Sequence, residues 1–315
     1  MAKILVTGGA GFIGHHVSKR LLERGDDVSV LDNFDNYYDS QLKVRNLDFI
    51  PDAKITTGDI RDKDRVRHLF REAKPDRIVH LAAQAGVRYS IDHPDVVTDV
   101  NVKGTLNMLD IAAEFGVEHF VFASSSSVYG NNRRVPFSEE DKTDSPISPY
   151  AASKKACEAF AHTYYHLHDL PCTGLRFFTV YGPRSRPDMA HRKFADLMME
   201  NEVIPVYGDG SMSRDFTYVD DIVDGIVSAL DRPNGFRVFN LGNTHPYSVM
   251  DLIEHLEEGL NVKAKISYKP EQPGDVERTF ADITKAGREL GYSPKVKFGE
   301  GMRRFCEWYR GEHGM

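Results

Sequence analysis

A chain of 315 residues with 41% hydrophobic side chains can bury a large core, as one large domain or as two unequal ones. Its formal charge of -7 and the lack of a basic tract give no electrostatic reason to expect a nucleic-acid partner, and no apolar run approaches a membrane span of about 18 residues. The three cysteines are scattered without a C-x-x-C pair, and no charged-then-apolar leader opens the sequence, so we expect a cytoplasmic protein with no membrane segment, disulfide framework or metal site.

The first predicted strand, 3–7, leads directly into a glycine-rich turn at 8–14 and then into a helical pattern of apolar residues. Glycines at such a turn let the backbone bend tightly and approach a pyrophosphate, whose charge then lies at the positive end of the helix. A turn that serves only close packing is the alternative, but a strand before it and a helix after it are what a dinucleotide site requires. The predicted cofactor-binding residues here are Gly8, Gly11, Phe12, Ile13 and Gly14.

An acidic residue, Asp32, ends the second predicted strand at the distance from the glycines at which a carboxylate reaches the ribose hydroxyls of an adenosine. Because an acid at this point repels a 2'-phosphate, the sequence favours NAD over NADP as the cofactor. Asn33 follows in the chain and is assigned to the same cofactor.

Strands and helices continue to alternate, which predicts an α/β protein with a Rossmann-like, doubly wound parallel sheet. Residues just past the strand ends lie at the edge where such sheets bind ligands. Those assigned to the cofactor are Asp59, Ile60, Leu81, Ala82 and Ala83. Arg88 lies just beyond this edge and is assigned to an anionic group of the substrate. Asn101, in a helix predicted over 95–115, is placed beside the cofactor, although the backbone can equally satisfy an interior asparagine.

A run of four serines, 124–127, follows the fifth predicted strand and reaches the same edge of the sheet. A serine hydroxyl can both donate and accept a hydrogen bond, so it can hold a substrate hydroxyl and relay its proton to a base. Tyr150 and Lys154 then open an alanine-rich helix, one turn apart. At this spacing the lysine cation favours the ionised tyrosine, which can act as that base. A Tyr-x-x-x-Lys pair also occurs by chance in helices, but here the serine run and the glycine turn accompany it.

Together these motifs resemble extended short-chain dehydrogenases/reductases, specifically nucleotide-sugar epimerases, over essentially the whole chain. The motifs are residues 8–14, 124–130, 150–154, 208–210 with 214–216, and 272–276. The resemblance implies that Tyr150 is the catalytic base and that Lys154 holds the nicotinamide ribose. It also implies that Ser125 relays the proton, that Ser127 contacts the substrate and that Ser124 lies on the nicotinamide side.

The serine run also discriminates between reactions within this family. Sugar 4,6-dehydratases carry an Asp-Glu pair there and UDP-glucuronate decarboxylases carry a glutamate, whereas this chain offers only hydroxyls. The implied reaction is simple 4-epimerisation: Tyr150 removes the proton of the sugar 4-hydroxyl, the C4 hydride passes to NAD, the 4-keto sugar rotates, and the hydride returns to the other face. Because no net redox change occurs, the cofactor should stay bound.

The segment 179–190 resembles UDP-glucuronate 4-epimerases, in which the residues matching Thr179 and Arg186 lie near the sugar carboxylate. A guanidinium fork suits a carboxylate. Holding the carboxylate firmly matters because the 4-keto intermediate is a β-keto acid that can lose carbon dioxide. Ser185 stands where the family usually has glycine.

The resemblance assigns further residues to the nucleotide. Arg214 matches a diphosphate-binding arginine, and Tyr207 lies where an aromatic side chain packs beside the uracil. Arg278 is assigned to a second diphosphate contact, with a surface salt bridge as the alternative.

The sequence therefore predicts an NAD-binding domain at 1–175, to which the chain returns at about 215–242, and a smaller nucleotide-sugar-binding α/β domain of 176–214 and 243–315. The favoured function is NAD-dependent 4-epimerisation of UDP-glucuronate to UDP-galacturonate, by a homodimer formed through the helices that contain Asn101 and Tyr150. The alternatives are a 4-epimerase of neutral UDP-sugars such as UDP-glucose, against which Arg186 argues, and a non-catalytic nucleotide-sensing protein on the same fold, against which Tyr150 and Lys154 argue.

Overall fold

A parallel sheet of seven strands forms the larger part of the molecule, and the computed structural model describes residues 1–270 and 278–314. The described strands are, in chain order, β1 (Lys3–Thr7), β2 (Asp27–Asp32), β3 (Lys54–Thr57), β4 (Arg77–His80), β5 (His119–Ser125), β6 (Cys172–Phe177), β7 (Thr179–Tyr181), β8 (Val203–Tyr207), β9 (Ser213–Tyr218), β10 (Phe236–Leu241), β11 (Pro246–Ser248), β12 (Lys265–Lys269) and β13 (Arg278–Thr279). The main sheet has the order β10-β6-β5-β4-β1-β2-β3, and all of its neighbouring strands are parallel.

Helices cover both faces of this sheet, because alternate residues of its strands point to opposite sides. The described helices are α1 (Phe12–Glu23), α2 (Ser40–Leu47), α3 (Lys63–Ala73), α4 (Val87–Asp92), α5 (Pro94–Val97), α6 (Gly104–Glu114), α7 (Pro149–His168), α8 (Ala190–Met199), α9 (Val219–Leu230), α10 (Val249–Leu260), α11 (Thr284–Leu290) and α12 (Phe298–Glu312). Ile4 and Val6 of β1 join the core with α1 and α9, whereas Leu5 joins the core with α3, α6 and α7. The predicted doubly wound α/β fold is confirmed.

The strand order reverses at β1, whose neighbours are β2 on one side and β4 on the other. In open sheets of this kind, connections leave the two sides of such a point in opposite directions and open a crevice at the carboxyl ends of the strands. The glycine turn at 8–14 follows β1 directly, so it lies at this crevice.

A smaller part of the molecule is built from the strands that follow β6. β9 pairs with β7, β11 and β13 in one small sheet, and β8 and β12 form a parallel pair. Helices α8, α10 and α12 pack together beside these strands. In the sequence, α9 and β10 come between α8 and α10. Because α9 packs against α1 and β10 pairs with β6, the chain returns to the main sheet before it ends in the smaller part.

The helix predicted over 95–115 is divided: α5 passes through a π-helical turn, Thr98–Lys103, into α6. The motif at 272–276 lies outside the described residues. Within the described chain, none of the helices is both long and apolar enough to cross a membrane.

Candidate active site

A single large cavity of about 900 Å³ runs along the carboxyl edge of the main sheet and on between the strands of the smaller part. It brings together residues that are far apart in the sequence. Every residue predicted to bind cofactor or substrate lines this cavity, except Asn101 and Arg278.

The glycine turn forms a cradle that has no room for side chains. Gly8 has φ +69°, and a Cβ there would lie 2.7 Å from the main-chain nitrogen of Ala82. A Cβ on Gly14 would lie 2.1 Å from the carbonyl oxygen of Gly8. Helix α1 begins at Phe12, immediately after the turn, so its N-terminal N–H groups and its dipole face the cavity wall. The cradle therefore suits the pyrophosphate of a dinucleotide such as NAD.

Asp32, at the end of β2, is held in place by the backbone around it. Its carboxylate accepts hydrogen bonds from the main-chain nitrogens of Ala10, at 3.1 Å, and Phe34, at 2.9 Å. Burial raises the pKa of Asp32, and these two hydrogen bonds and the charge of Lys43 oppose the rise. Sequence reasoning missed Lys43, whose Nζ donates to the main-chain oxygen of Asp35 at 2.8 Å and which lines the same end of the cavity.

The neighbouring residues at this end are also ordered by hydrogen bonds. The side-chain amide of Asn33 donates to Asp59 at 2.9 Å. Hydrogen bonds from Arg61 lower the pKa of Asp59 to about 2, so this carboxylate is ionised at neutral pH. Two carboxylates, those of Asp32 and Asp59, thus line this end of the cavity, as the predicted ribose contact requires.

Tyr150 and Lys154 lie in the first two turns of α7. The helix begins sharply because Pro149 opens it and the hydroxyl of Ser148 accepts a hydrogen bond from the main-chain nitrogen of Ala151 at 3.1 Å. Lys154 is buried, and its Nζ lies 5.9 Å from the centroid of the Tyr150 ring. The geometry places a fixed positive charge beside a phenol that opens onto the cavity.

The serines after β5 have different surroundings. The Oγ of Ser125 accepts hydrogen bonds from the main-chain nitrogen of Ser127, at 3.2 Å, and from its hydroxyl, at 2.9 Å. Ser125 therefore keeps its own O–H for donation into the cavity. The hydroxyl of Ser124 instead donates to Glu158 of α7 at 2.7 Å, in the buried interior.

Glu158 belongs to a buried network beneath the serine run. Arg176 of β6 donates to both of its oxygens, at 2.8 and 2.9 Å, and also to the hydroxyl of Tyr129 at 2.9 Å. Burial alone would raise the pKa of Glu158, but the hydrogen bonds and charge of Arg176 bring it below its ordinary value. The carboxylate is thus ionised, and it ties the catalytic helix to the strands that carry the serines.

Asn101 is completely enclosed behind the cavity. Its amide group exchanges hydrogen bonds with the backbone of Gln84, accepting at 2.8 Å and donating at 3.1 Å, and it donates to the hydroxyl of Ser153 at 2.9 Å. Ser153 in turn donates to the main-chain oxygen of Tyr150 at 2.8 Å. The structure thus places Asn101 as a brace between the segment after β4 and the catalytic helix, at a π-helical turn of the kind that is frequent at functional sites.

On the sugar side, Arg186 and Thr179 line the cavity together. Arg186 forms a two-pronged ion pair with Asp188, and the hydroxyl of Tyr37 lies 3.4 Å from the same carboxylate. Sequence reasoning missed both Asp188 and Tyr37. The only available signal was the position of Asp188, two residues after the predicted carboxylate-binding arginine.

The predicted nucleotide-binding residues lie farther along the cavity. The guanidinium of Arg88 lies over the ring of Tyr207, at 5.3 Å, and Arg214 donates from Nη1 to the main-chain oxygen of Ser213 at 2.9 Å. Arg278 is exposed, with its guanidinium 4.9 Å from the ring of Phe280, and does not reach the cavity wall. Among residues 1–270 and 278–314, no cluster of three or more His, Cys, Asp or Glu side chains could hold a metal ion.

A dinucleotide cradle at the switch point of a doubly wound sheet, facing a lysine-supported tyrosine across one cavity, is the arrangement of the extended short-chain dehydrogenases/reductases that act on nucleotide sugars. The chain belongs to the GDP-mannose 4,6 dehydratase family, whose model matches residues 5–305. Within that family, the serine run of this chain brings hydroxyls to the cavity, without a carboxyl group among residues 124–127.

Relatives that are named as 4-epimerases are similar to this chain over nearly its whole length. UDP-glucuronate 4-epimerase 4 of Arabidopsis thaliana is 47% identical, over 97% of this chain and 75% of its own length. The crystal structure of UDP-glucuronic acid 4-epimerase from Bacillus cereus, in complex with UDP-glucuronic acid and NAD, is similar with a TM-score of 0.92 and 34% identity, over 98% of this chain and 99% of that one. The UDP-glucose 4-epimerase of Thermotoga maritima, solved with UDP-glucose, has a TM-score of 0.91 and 34% identity over the same shares.

Proposed function

We propose that the protein is an NAD-dependent 4-epimerase that interconverts UDP-glucuronate and UDP-galacturonate. The observation that carries this proposal is that Tyr150, Ser125 and Arg186 line one cavity with the dinucleotide cradle. A base, a proton relay and a carboxylate-binding cation are thereby available to one sugar ring. The relatives named as UDP-glucuronate 4-epimerases support the same function.

The residues divide the reaction between them. Ser125 is assigned to donate its hydrogen to the Tyr150 oxygen and to accept one from the sugar 4-hydroxyl, which replaces the hydrogen bond that the Ser127 hydroxyl donates in this structure. Tyr150, as the base beside Lys154, takes up the proton that leaves this hydroxyl, and it gives the proton back when the new alcohol forms. When bound, NAD supplies an acceptor and then a donor of hydride at C4 of the sugar. Between the two transfers the flat 4-keto sugar turns over, so that the hydride returns to its other face.

Thr179 and Arg186 are assigned to the sugar carboxylate. A guanidinium can hold a carboxylate by two parallel hydrogen bonds, which fixes its orientation as well as its position. Arg88, Tyr207 and Arg214 are assigned to the uridine diphosphate, on the strength of their place farther along the cavity.

The second candidate is a 4-epimerase of neutral UDP-sugars, and the similarity to the UDP-glucose 4-epimerase of Thermotoga maritima is the observation in its favour. Arg186 in the cavity wall favours the uronic acid, because a hydroxymethyl group offers a guanidinium no charge to bind. A silent nucleotide-sensing protein would not need a buried lysine beside a cavity-lining tyrosine.

A product assay with the purified protein separates these functions. UDP-glucuronate, UDP-glucose and UDP-xylose are supplied separately, and the sugar products and NADH absorbance are followed in parallel. We expect UDP-galacturonate from UDP-glucuronate, with no pentose. Turnover of the neutral sugars alone would leave the hydride mechanism intact and remove the carboxylate role of Thr179 and Arg186, and no turnover of any sugar would favour the silent protein.

We also propose that the enzyme is a cytoplasmic homodimer, paired through α7 and the helical segment that contains Asn101. Leu167, near the end of α7, has 69% of its surface exposed, and Tyr165 has 37% exposed, which supports a partner on this helix. The cysteines are free and buried, as expected in a reducing compartment. Sedimentation of the purified protein should give the mass of two chains, and a monomer would contradict the pairing.

A further inference from the structure

The ion pair between Arg186 and Asp188 leaves half of the guanidinium available. Nε and Nη2 of Arg186 donate to the two oxygens of Asp188, each at 2.8 Å. A guanidinium carries five N–H groups, and this pairing uses two of them. The other three, on Nη1 and Nη2, form a second edge that can receive another carboxylate. Asp188 therefore orients Arg186 without occupying the edge that a substrate would use.

Tyr37, another residue of the cavity wall, contacts Asp188. Its hydroxyl lies 3.4 Å from Oδ2 of Asp188, and its ring meets the ring of Tyr89 edge-on with centroids 4.9 Å apart. A Cβ on Gly86, which has φ +125°, would lie 2.9 Å from the Tyr37 hydroxyl oxygen. The absence of a side chain at Gly86 therefore leaves room for the Tyr37 hydroxyl beside Asp188.

The charges of the pair are stable at neutral pH. Burial alone would lower the pKa of Arg186, but the hydrogen bonds that it donates to Asp188 raise it. Burial alone would raise the pKa of Asp188, but Arg186 lowers it. Their side chains are 24% and 34% exposed, so the pair is accessible from the cavity. A substrate carboxylate thus meets a guanidinium that keeps its charge and whose direction Asp188 has already fixed.

We propose that Asp188, backed by Tyr37, is the positioning residue that aims the second edge of the Arg186 guanidinium at the carboxylate of the substrate. The inference deepens the proposed function and rests on it. Asp188 thus affects the orientation of the guanidinium and not the attraction between the guanidinium and the substrate carboxylate. Removing the charge of Asp188 leaves a more positive site that still attracts the carboxylate, but the guanidinium is no longer held at one angle.

The orientation of the substrate carboxylate matters because the 4-keto intermediate can also lose carbon dioxide. In a 4-keto uronic acid the bond from C5 to the carboxylate carbon can break, which releases carbon dioxide and leaves its electron pair in a C4–C5 enolate that a proton from water converts to a 4-keto pentose. The hydride taken from C4 then remains on the reduced cofactor. This bond breaks most readily when it stands perpendicular to the C4 carbonyl plane, so a carboxylate held at a fixed angle near that plane is protected.

The test compares Asp188→Asn and Tyr37→Phe with the wild-type enzyme, using UDP-glucuronate as substrate. For Asp188→Asn we expect kcat to fall by about 10²-fold, because a misplaced reactant loses roughly this much. KM should stay level or fall, since the attraction remains. Pentose products and bound NADH should appear, which a merely structural defect would not produce. Tyr37→Phe should change kcat and the pentose fraction in the same direction, by about fivefold in kcat for the loss of one hydrogen bond.

Two controls define the outcomes. Asp188→Glu, which can rebuild the ion pair, should recover part of kcat and suppress the pentose, and Asp64→Asn, at a fully exposed carboxylate on α3, should match the wild type. If Asp188→Asn does not fold, the inference is tested with Tyr37→Phe alone, because that variant removes one hydroxyl and keeps the packed ring. A fall in kcat with an unchanged pentose fraction, or no change at all, would overturn the inference. A wild-type enzyme that makes no UDP-galacturonate would overturn the proposed function itself, and the wild-type assay shows this before any variant is compared.

Discussion

Lys154 donates a hydrogen bond from Nζ to the main-chain oxygen of Ala123, at 2.9 Å. Ala123 lies immediately before the serine run, so this bond ties the second turn of the catalytic helix to the strand end that presents Ser125. The lysine charge is therefore fixed with respect to both the tyrosine and the serine. Lys154 also lines the cavity, so its remaining N–H groups are available to the nicotinamide ribose that is assigned to this residue.

Replacing this lysine should affect the chemistry and the cofactor together. In Lys154→Met the buried cation disappears while much of the packing volume is kept, so Tyr150 loses the charge that favours its ionised form. We expect turnover to fall by about 10²–10⁴-fold, the range of a lost acid–base contribution, together with weaker NAD binding. Lys19→Met, on α1 and 49% exposed, is the control and should retain both turnover and NAD binding. The measurements are kcat and NAD content after gel filtration.

Tyr150→Phe should separate the chemistry from cofactor binding. It removes one hydroxyl and leaves the cradle, Lys154 and the ring in place. We expect turnover to be lost, by at least about 10²–10⁴-fold, while NAD stays bound. Tyr268→Phe, at a tyrosine of β12 that is 59% exposed, should behave as the wild type. A Tyr150→Phe enzyme with unchanged turnover would disprove the role of this tyrosine as the base.

A third prediction concerns stability rather than activity. Glu158→Gln leaves the buried Arg176 guanidinium without its counter-charge, which typically costs about 3–5 kcal/mol. Glu114→Gln removes one partner of a pair on the surface, at a carboxylate that is 47% exposed, and should cost less than about 1 kcal/mol. Denaturant unfolding of the two variants and the wild type measures the difference. Equal losses in both would mean that the network beneath the serines contributes no more than a surface pair.

Local sequence patterns were sufficient to predict the fold and to bring the candidate reacting groups to one cavity. The glycine turn, the carboxyl ends of the strands and the Tyr-x-x-x-Lys spacing each follow from residues within about one or two turns of one another, and short-range geometry is what a sequence displays directly. Parallel strands place their carboxyl ends at one edge, so Asp32, Ser125 and Tyr150 could be expected at one cavity although they are distant in the chain.

Contacts that depend on long-range packing could not be predicted in this way. Tyr37 and Asp188 are 151 positions apart and meet in the cavity wall. A run of four serines does not indicate that Ser127 bonds to Ser125, or that Ser124 instead bonds to Glu158 in the interior. Asn101 is also a brace rather than a residue of the cavity wall, because the π-helical turn directs its amide toward the segment after β4. In each case the partner is set by tertiary packing, which the spacing of residues along one element does not reveal.

The last prediction is that acid destabilises the protein through histidines that are buried as neutral groups. Burial lowers the pKa of His80 to about 3, that of His119 to about 4 and that of His191 to about 3. In the unfolded chain these groups take up a proton below about pH 6.5, whereas the folded protein does not, so stability falls as the pH falls from 6.5 toward 4. Each group should cost about 2 kcal/mol at pH 5 relative to pH 7.5.

His119→Gln tests this account at one site. His119 bonds to the main-chain oxygen of Leu230 at 3.1 Å and to the hydroxyl of Thr173 at 2.9 Å, and glutamine can replace part of this pairing but cannot take up the proton. The variant will be less stable than the wild type at pH 7.5, where histidine is neutral in both the folded and the unfolded state. The loss of stability on going to pH 5 should nevertheless be smaller in the variant by one histidine's share, about 2 kcal/mol. Unfolding free energies from urea titrations at the two pH values give this difference, and an identical loss in both proteins would show that His119 is not among the groups that resist protonation.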